Sequence, residues 1–278
     1  MARLAGEMDG AVGIRGDGRG RPGSPLVGKL RAYGTYALSF LTLFVVWHVL
    51  ATYIFPSVLF SAPLQVVGKL VELAWTGVLF EHIGISLQRI LIGFGLGSLI
   101  GVPVGLLMGN IRFVQRFMEP YIEFFRFIPA IALITVAVLW FGIGETSKVF
   151  LIIYTTIFIV ILNTTAGVLS IPLNKIRAAQ CLGVSPAQIF LHVAIPATLP
   201  FILTGMRIAM GNSFATIVSA EMLGANAGVG TMMWTARLFM QVDEMFVGLL
   251  TLGLLGFAAD RLFRFLIFRF AGKYSPVA

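Results

Sequence analysis

The residue types that bind metals or attack substrates are thinly spread in this 278-residue chain: three histidines, His48, His82 and His192, and one cysteine, Cys181. Metal ligands on one element recur at short fixed intervals, and these do not. No serine sits in a nucleophile elbow, and a single cysteine forms no intrachain disulfide. Two glycine patterns come closer. Gly23 to Lys29 follows the GxxxxGK spacing of a phosphate-binding loop, but Leu30 stands where a hydroxyl must hold Mg²⁺, no strand precedes it, and Pro25 interrupts it. Gly142-Ile143-Gly144 lacks the third glycine and the strand-to-helix setting of a dinucleotide site and reads as a bend. No catalytic residue and no metal ligand is therefore assigned, and any use of ATP falls to another subunit.

The remaining polar groups lie within or beside apolar stretches. Asn163, with Thr156 on a neighbouring face, and Asn212, Thr216 and Ser219 fall at helical spacings, so they either line a path or hydrogen-bond between helices. Glu221 is an expensive charge at the end of an apolar segment, which makes it a functional candidate or the partner of Arg237. Trp47, Tyr53, Trp140 and Trp234 lie near segment ends, where aromatic side chains mark a membrane interface rather than a ligand cage.

The elements that must position these groups are transmembrane helices. Hydrophobic residues make up 58% of the chain and charged residues 12%, and the mean hydropathy is +0.94; soluble domains carry roughly twice that charged fraction. The chain reads as an all-α integral membrane protein. Six stretches are long and apolar enough to cross the hydrocarbon core: 36–55, 90–108, 127–143, 149–171, 201–220 and 245–268. Asp260 and Arg261 in the last must reach the headgroups or pair inside the protein. Residues 63–79 are amphipathic and too polar to span, and Ser61 and Pro63 suit the cap and first turn of a helix lying along the surface. Residues 1–33, rich in glycine and arginine, show no secretory signal and read as a flexible arm; 34–278 form the membrane domain.

With the N-terminus inside, fourteen Lys/Arg fall on the cytoplasmic side, three on the outer side (Lys69, Lys148, Arg237) and three at span ends (Arg89, Arg126, Arg207). That bias puts both termini in the cytoplasm and accounts for the net charge of +8 without any nucleic-acid partner.

Two local patterns stand out. Gly93, Gly97, Gly101, Gly105 and Gly109 recur every fourth residue, so they form one stripe along a helix where another backbone approaches closely, within the chain or in a second copy. Pro103 among them implies a kink. The loop 172–200 divides into two short helices. The first covers 173–182 and stops at Gly183, a left-handed position. Ser185 caps the second, with Pro186 at its first position, and that helix ends before Pro196 and Pro200. Ile176, Ala179, Leu182 and Ile189 make one side apolar, suited either to docking on a partner or to lying in the headgroups.

The run Ala178, Ala179, three residues, Gly183, nine residues, then Val193, one residue, Ile195 and Pro196 resembles the EAA loop of ABC-importer permeases. The stretches 86–94, 129–132, 140–148, 203–207, 221–224 and 228–230 resemble the nitrate/sulfonate/taurine branch of that family. Arg177 stands where the motif usually has glutamate. The resemblance implies a permease subunit of the bacterial inner (plasma) membrane that moves a small, anionic solute by alternating access. It implies a second permease copy in a homodimer, two ATPase subunits that bind ATP and Mg²⁺, and an external solute-binding protein. It also makes Arg177, Ala178, Ala179, Gly183, Ser185, Pro186 and Pro196 the ATPase-coupling residues. The rivals are an ion-gradient-driven transporter, which asks for carboxylates at mid-membrane, and an intramembrane enzyme, which asks for a paired nucleophile and base; neither set is evident.

Overall fold

A computed structural model describes residues 25–54, 60–222 and 225–271. Among the described residues every regular element is helical: α1 (Pro25–Val49, running into a π turn at Leu50–Ile54), α2 (Pro63–Trp75), α3 (Val78–Asn110), α4 (Arg112–Phe125), α5 (Ala130–Phe141), α6 (Glu145–Leu169), α7 (Leu173–Cys181), α8 (Pro186–Ile189), a π turn (Phe190–Ala194), α9 (Ile195–Met222), α10 (Val229–Leu238) and α11 (Val242–Ala271).

The centre is a stack of α3 on α6 on α9. The five stripe glycines of α3 face, in order, Ile152, Thr156, Val160, Thr164 and Val168 of α6, also four residues apart. A Cβ on Gly97 would lie 2.7 Å from the Thr156 side chain, and one on Gly101 3.0 Å from Val160. Without a hydrophobic drive between helices in lipid, this close approach and its dispersion contacts hold the pair. The stripe thus packs within the chain. Leu91 and Leu99, on the opposite side of α3, are exposed.

Among the described residues four helices are long and apolar enough to cross a membrane, Val78–Asn110, Glu145–Leu169, Pro186–Met222 and Val242–Arg269, or five if the bent pair α4–α5 makes one span, against the six expected. The first apolar stretch is the shorter segment Leu38–Ile54. Its helix begins at Pro25, inside the stretch expected as an arm, while residues 1–24 lie outside the described residues.

Three sequence expectations are corrected. The stretch expected as a span at 127–143 holds only the 12-residue α5, which joins α4 at 96° rather than crossing alone. The bend falls at Arg126–Pro129, where Pro129 takes an extended ψ of 136° and lacks an N–H to continue the helix. Arg126 stacks over Phe127 at 4.5 Å there, and the Tyr154 hydroxyl donates to the Phe125 carbonyl, tying the bend to α6. Secondly, α2 is the amphipathic helix expected, with Leu64, Val67, Val71 and Trp75 exposed, but its cap differs. Its Val66 and Leu73 are buried against Val229, Met232 and Val247 of α10 and α11. Its cap is Ala62 rather than Ser61, with the Ala62 N–H donating to the Gln65 side chain at 3.0 Å. Lys69 lies 3.1 Å from Glu72 and 3.9 Å from Glu244, and the Glu72 hydrogen bond raises its pKa.

Thirdly, the helix after Ser185 does not stop before Pro196. Residues Pro186–Met222 form one 37-residue rod containing both Pro196 and Pro200. The π turn makes this possible: the Ile195 N–H reaches back to the Phe190 carbonyl, and Pro196 then sits in the first turn of α9, where no intrahelical donor is needed.

Candidate functional site

Two places carry functional geometry, at opposite ends of α6. This helix has 25 residues, so the ends lie roughly 38 Å apart.

At its C-terminal end is the loop with α7. Ile171 is buried and anchors the start. No residue of α7 is buried: Leu173 is 65% and Leu182 82% exposed, with Arg177, Ala178 and Cys181 exposed beside them. Gly183 has φ of 74°, the left-handed conformation that ends α7, and its N–H donates to the Gln180 carbonyl at 2.9 Å. Ser185 caps α8: its Oγ accepts from the Gln188 N–H at 3.4 Å, while the Ser185 N–H donates to Gln188 Oε1 at 3.0 Å. Such a box is worth ~1 kcal/mol. Ile189 is buried and pins α8 to the bundle, while Ile176 and Ala179 of α7 are half-buried, Ile176 packing on the cluster of Leu106, Val168 and Ile171, so that part of the expected apolar side faces inward. The result is a fixed, short helix offering apolar and cationic side chains outward.

At the N-terminal end of α6 lies a buried cluster of charge. Glu221 of α9 has a side chain 0% exposed. Arg89 Nη1 donates to its Oε1 at 2.7 Å, Ser86 Oγ at 2.8 Å, and the Gly230 N–H donates to Oε2 at 2.9 Å. Arg89 Nη1 also donates to the Ala227 carbonyl at 2.6 Å. The other edge of the guanidinium, Nε and Nη2, grips both oxygens of Glu145 at 2.5 and 2.7 Å, and Lys148 Nζ approaches the same carboxylate at 3.4 Å. The segment after α9 is laced in by backbone donors: Val229 N–H to Ser86 Oγ and Gly228 N–H to His82 Nδ1, each at 2.9 Å. Gly228 is required here, because it has φ of 131° and a Cβ on it would collide with the Glu221 carboxylate. Two cations and two carboxylates thus balance, joining α3, α6, α9 and the turn into α10.

Glu221 therefore pairs with Arg89, not with Arg237, whose guanidinium lies 5.0 Å over the Trp234 ring. Arg89, Ser86, Glu145 and Lys148 are the residues that sequence reasoning missed. Arg89 was counted as a span-end charge because the apolar run begins at 90, whereas α3 starts at Val78 and carries Arg89 inside it. The available signal was arithmetic: an arginine and a glutamate each stranded next to an apolar span ask for one another. Asp260 pairs within the chain at a partly exposed position, with Arg207 at 2.5 Å and Arg264 at 3.0 Å.

The polar residues expected along a path do not converge. Thr216 and Ser219 line a cavity of about 150 Å³ with Ala130, Ile134 and Leu151. Asn163 instead faces Gly205, and its amide donates to the Ile159 carbonyl of its own helix at 2.8 Å. Asn212 is only half-buried, and its carbonyl accepts from the Thr216 hydroxyl. Polar contacts between helices include Thr155 with Thr216 and Thr156 with Ser213, both at 3.4 Å, and the Thr165 hydroxyl donating to the Gly105 carbonyl at 3.1 Å. Trp47 stacks on Phe246 at 5.6 Å, so it packs α1 onto α11.

Comparison with known proteins agrees with this architecture. Residues 101–272 match the family described as binding-protein-dependent transport system inner membrane component. The chain is 38% identical over 234 residues to a probable ABC transporter permease protein of Brucella melitensis, covering 84% of this chain and 94% of that one. It is 39% identical over 225 residues to the taurine transport system permease protein of Escherichia coli K12, covering 78% and 82%. A solved structure of the inward-facing MetNI methionine ABC transporter has the same fold in 69% of this chain and 97% of its own, with a TM-score of 0.58 and 21% identity. By the family match and by these relatives, the chain belongs to the family of binding-protein-dependent transport system inner membrane components.

Proposed function

We propose that this chain is the permease half of an ATP-driven importer for a small anionic solute such as a sulfonate. It performs no chemistry itself and binds no cofactor; ATP and Mg²⁺ reside on two partner ATPase subunits. A second copy of the chain completes the pathway, and a solute-binding protein delivers cargo at the end carrying the Arg89–Glu221 cluster. Both termini and α7 face the cytoplasm, as the distribution of Lys and Arg supports.

The observation that carries this reading is α7: a helix with no buried residue, held rigidly by Gly183 and the Ser185 box, with Leu173 and Leu182 exposed. Exposed leucines on a rigid element at the polar end of a bundle are suited to a groove on a partner. Arg177 in place of the family's usual glutamate asks for an acidic surface opposite it. For the solute, the taurine permease at 39% identity is the support.

The test is affinity purification of the tagged chain from native membranes in mild detergent, with partners identified by mass spectrometry. An ABC ATPase is expected to accompany the wild type. Because Leu182 is 82% exposed, Leu182→Asp is expected to leave the chain folded and monodisperse while losing most of that ATPase, about tenfold in yield for a hot-spot anchor. A folded wild type that brings no ATPase contradicts the reading.

A further inference from the structure

The Arg89 guanidinium keeps two kinds of company. Its Nη1 edge is built into the protein, donating to Glu221 and to the Ala227 carbonyl. Its Nε/Nη2 edge is a fork closed on both oxygens of Glu145. Arg89 and Lys148 have side chains 5% exposed, whereas that of Glu145 is 64% exposed. Two buried cations are therefore matched, on this edge, by a carboxylate standing mostly in water. Beside the fork opens a cavity of about 290 Å³, in which Gln88, Arg89, Glu145 and Asn226 stand among the apolar Ile85, Ile92, Val149 and Ala227, close to the lower size of small-molecule sites, ~300 Å³.

We propose that this fork is a transit site for a small oxyanion, a sulfonate or nitrate group, and that Glu145 is its built-in stand-in. Two oxygens of the solute take the places of the two Glu145 oxygens on Arg89 Nε and Nη2, and the carboxylate swings into water. The guanidinium fork fits a planar pair of oxygens, whichever group carries them. Exchange is cheap on the Glu145 side, since a side chain already mostly exposed regains hydration rather than being stranded. The cost of leaving Arg89 without a partner never arises, because one anion replaces another. Gln88 and Asn226 bring neutral amide donors to the same cavity.

The arrangement also sets the affinity. A tethered carboxylate competes at an effective concentration of about millimolar or more, so a free anion binds weakly. Weak binding is what a site on a pathway needs, because the solute has to leave again. Glu221 has no such freedom: it is fully buried, with Ser86 and Gly230 as further donors. The two carboxylates flanking Arg89 thus divide the work, one fixing the guanidinium and the other vacating it.

This proposal rests on the importer reading for its class of solute. Its test is calorimetric titration of ethanesulfonate into the full-length chain in lipid nanodiscs, with ethanol as the uncharged control. Glu145→Gln removes the competitor at an exposed position and is expected to bind ethanesulfonate about tenfold more tightly than the wild type. Adding Arg89→Lys, which keeps a cation for Glu221 but removes the fork, is expected to abolish the gain. Equal affinity in wild type and Glu145→Gln, no binding in either, or a gain that survives Arg89→Lys in folded protein overturns the proposal. Co-purification of the ATPase is scored on the same membranes, so a failed anion site with the ATPase present sinks the site alone, and an absent ATPase sinks the importer reading.

Discussion

Glu221→Ala is expected to be the most damaging single substitution in the chain, costing about 3–5 kcal/mol, as removal of one partner from a buried ion pair does. The carboxylate it removes is fully buried and accepts from Arg89, Ser86 and Gly230. Without it, Arg89 Nη1 keeps only the Ala227 carbonyl and the Gly230 N–H loses its acceptor. In a thermal ramp followed by size-exclusion chromatography, the melting temperature is expected to fall by on the order of 10 °C. Glu145→Ala, at the other edge of the same guanidinium, is expected to fall far less, because its carboxylate is mostly in water. Equal, small effects of Glu221→Ala and Glu145→Ala would show that the cluster does not hold α3, α6 and α9 together.

The second large effect belongs to the α3–α6 seam. A Cβ on Gly105 would come within 2.6 Å of the Thr164 Cβ and 2.9 Å of the Ile161 carbonyl, neither of which can turn aside. Gly105→Leu therefore forces the helices apart; overpacking costs about 1–3 kcal/mol per site, and here it falls on a contact repeated along the whole pair. Gly95 is the matched control: it lies on the same helix, exposed, with nothing within 4 Å of its Cβ position. Gly95→Leu is expected to keep wild-type stability, and Gly105→Leu to melt well below it in the same ramp. Equal melting of the two would remove the glycine seam from the account.

What was legible in the sequence follows from the range of the forces involved. The stripe from Gly93 to Gly109 could be read because the period of a helix is fixed, so equal spacing becomes a face whatever packs on it. Gly183, Ser185 and Pro186 could be read because caps and left-handed turns are decided within a few residues. The Arg89 cluster was not legible by such rules. Its hydrogen bonds join residues 56 and 132 positions apart in the chain, and only the stacking of α3, α6 and α9 brings them together. The bend at Arg126–Pro129 lies at the start of the apolar run 127–143, and hydropathy, which reports composition and not direction, gives no sign that α4 joins α5 there. Pro196 and Pro200 misled for a different reason: a one-residue shift at the Phe190–Ala194 π turn lets a helix pass a proline that usually ends it.

In the proposed importer, solute movement is driven by ATP hydrolysed on a partner subunit docked at α7. The most direct measurement is uptake of radiolabelled ethanesulfonate into vesicles reconstituted with the chain, its co-purifying ATPase and the solute-binding protein, with nucleotide and ion gradients varied separately. Accumulation that requires ATP on the α7 side and persists when ionophores collapse every gradient is the expected result. Accumulation that follows an ion gradient and ignores ATP would contradict it.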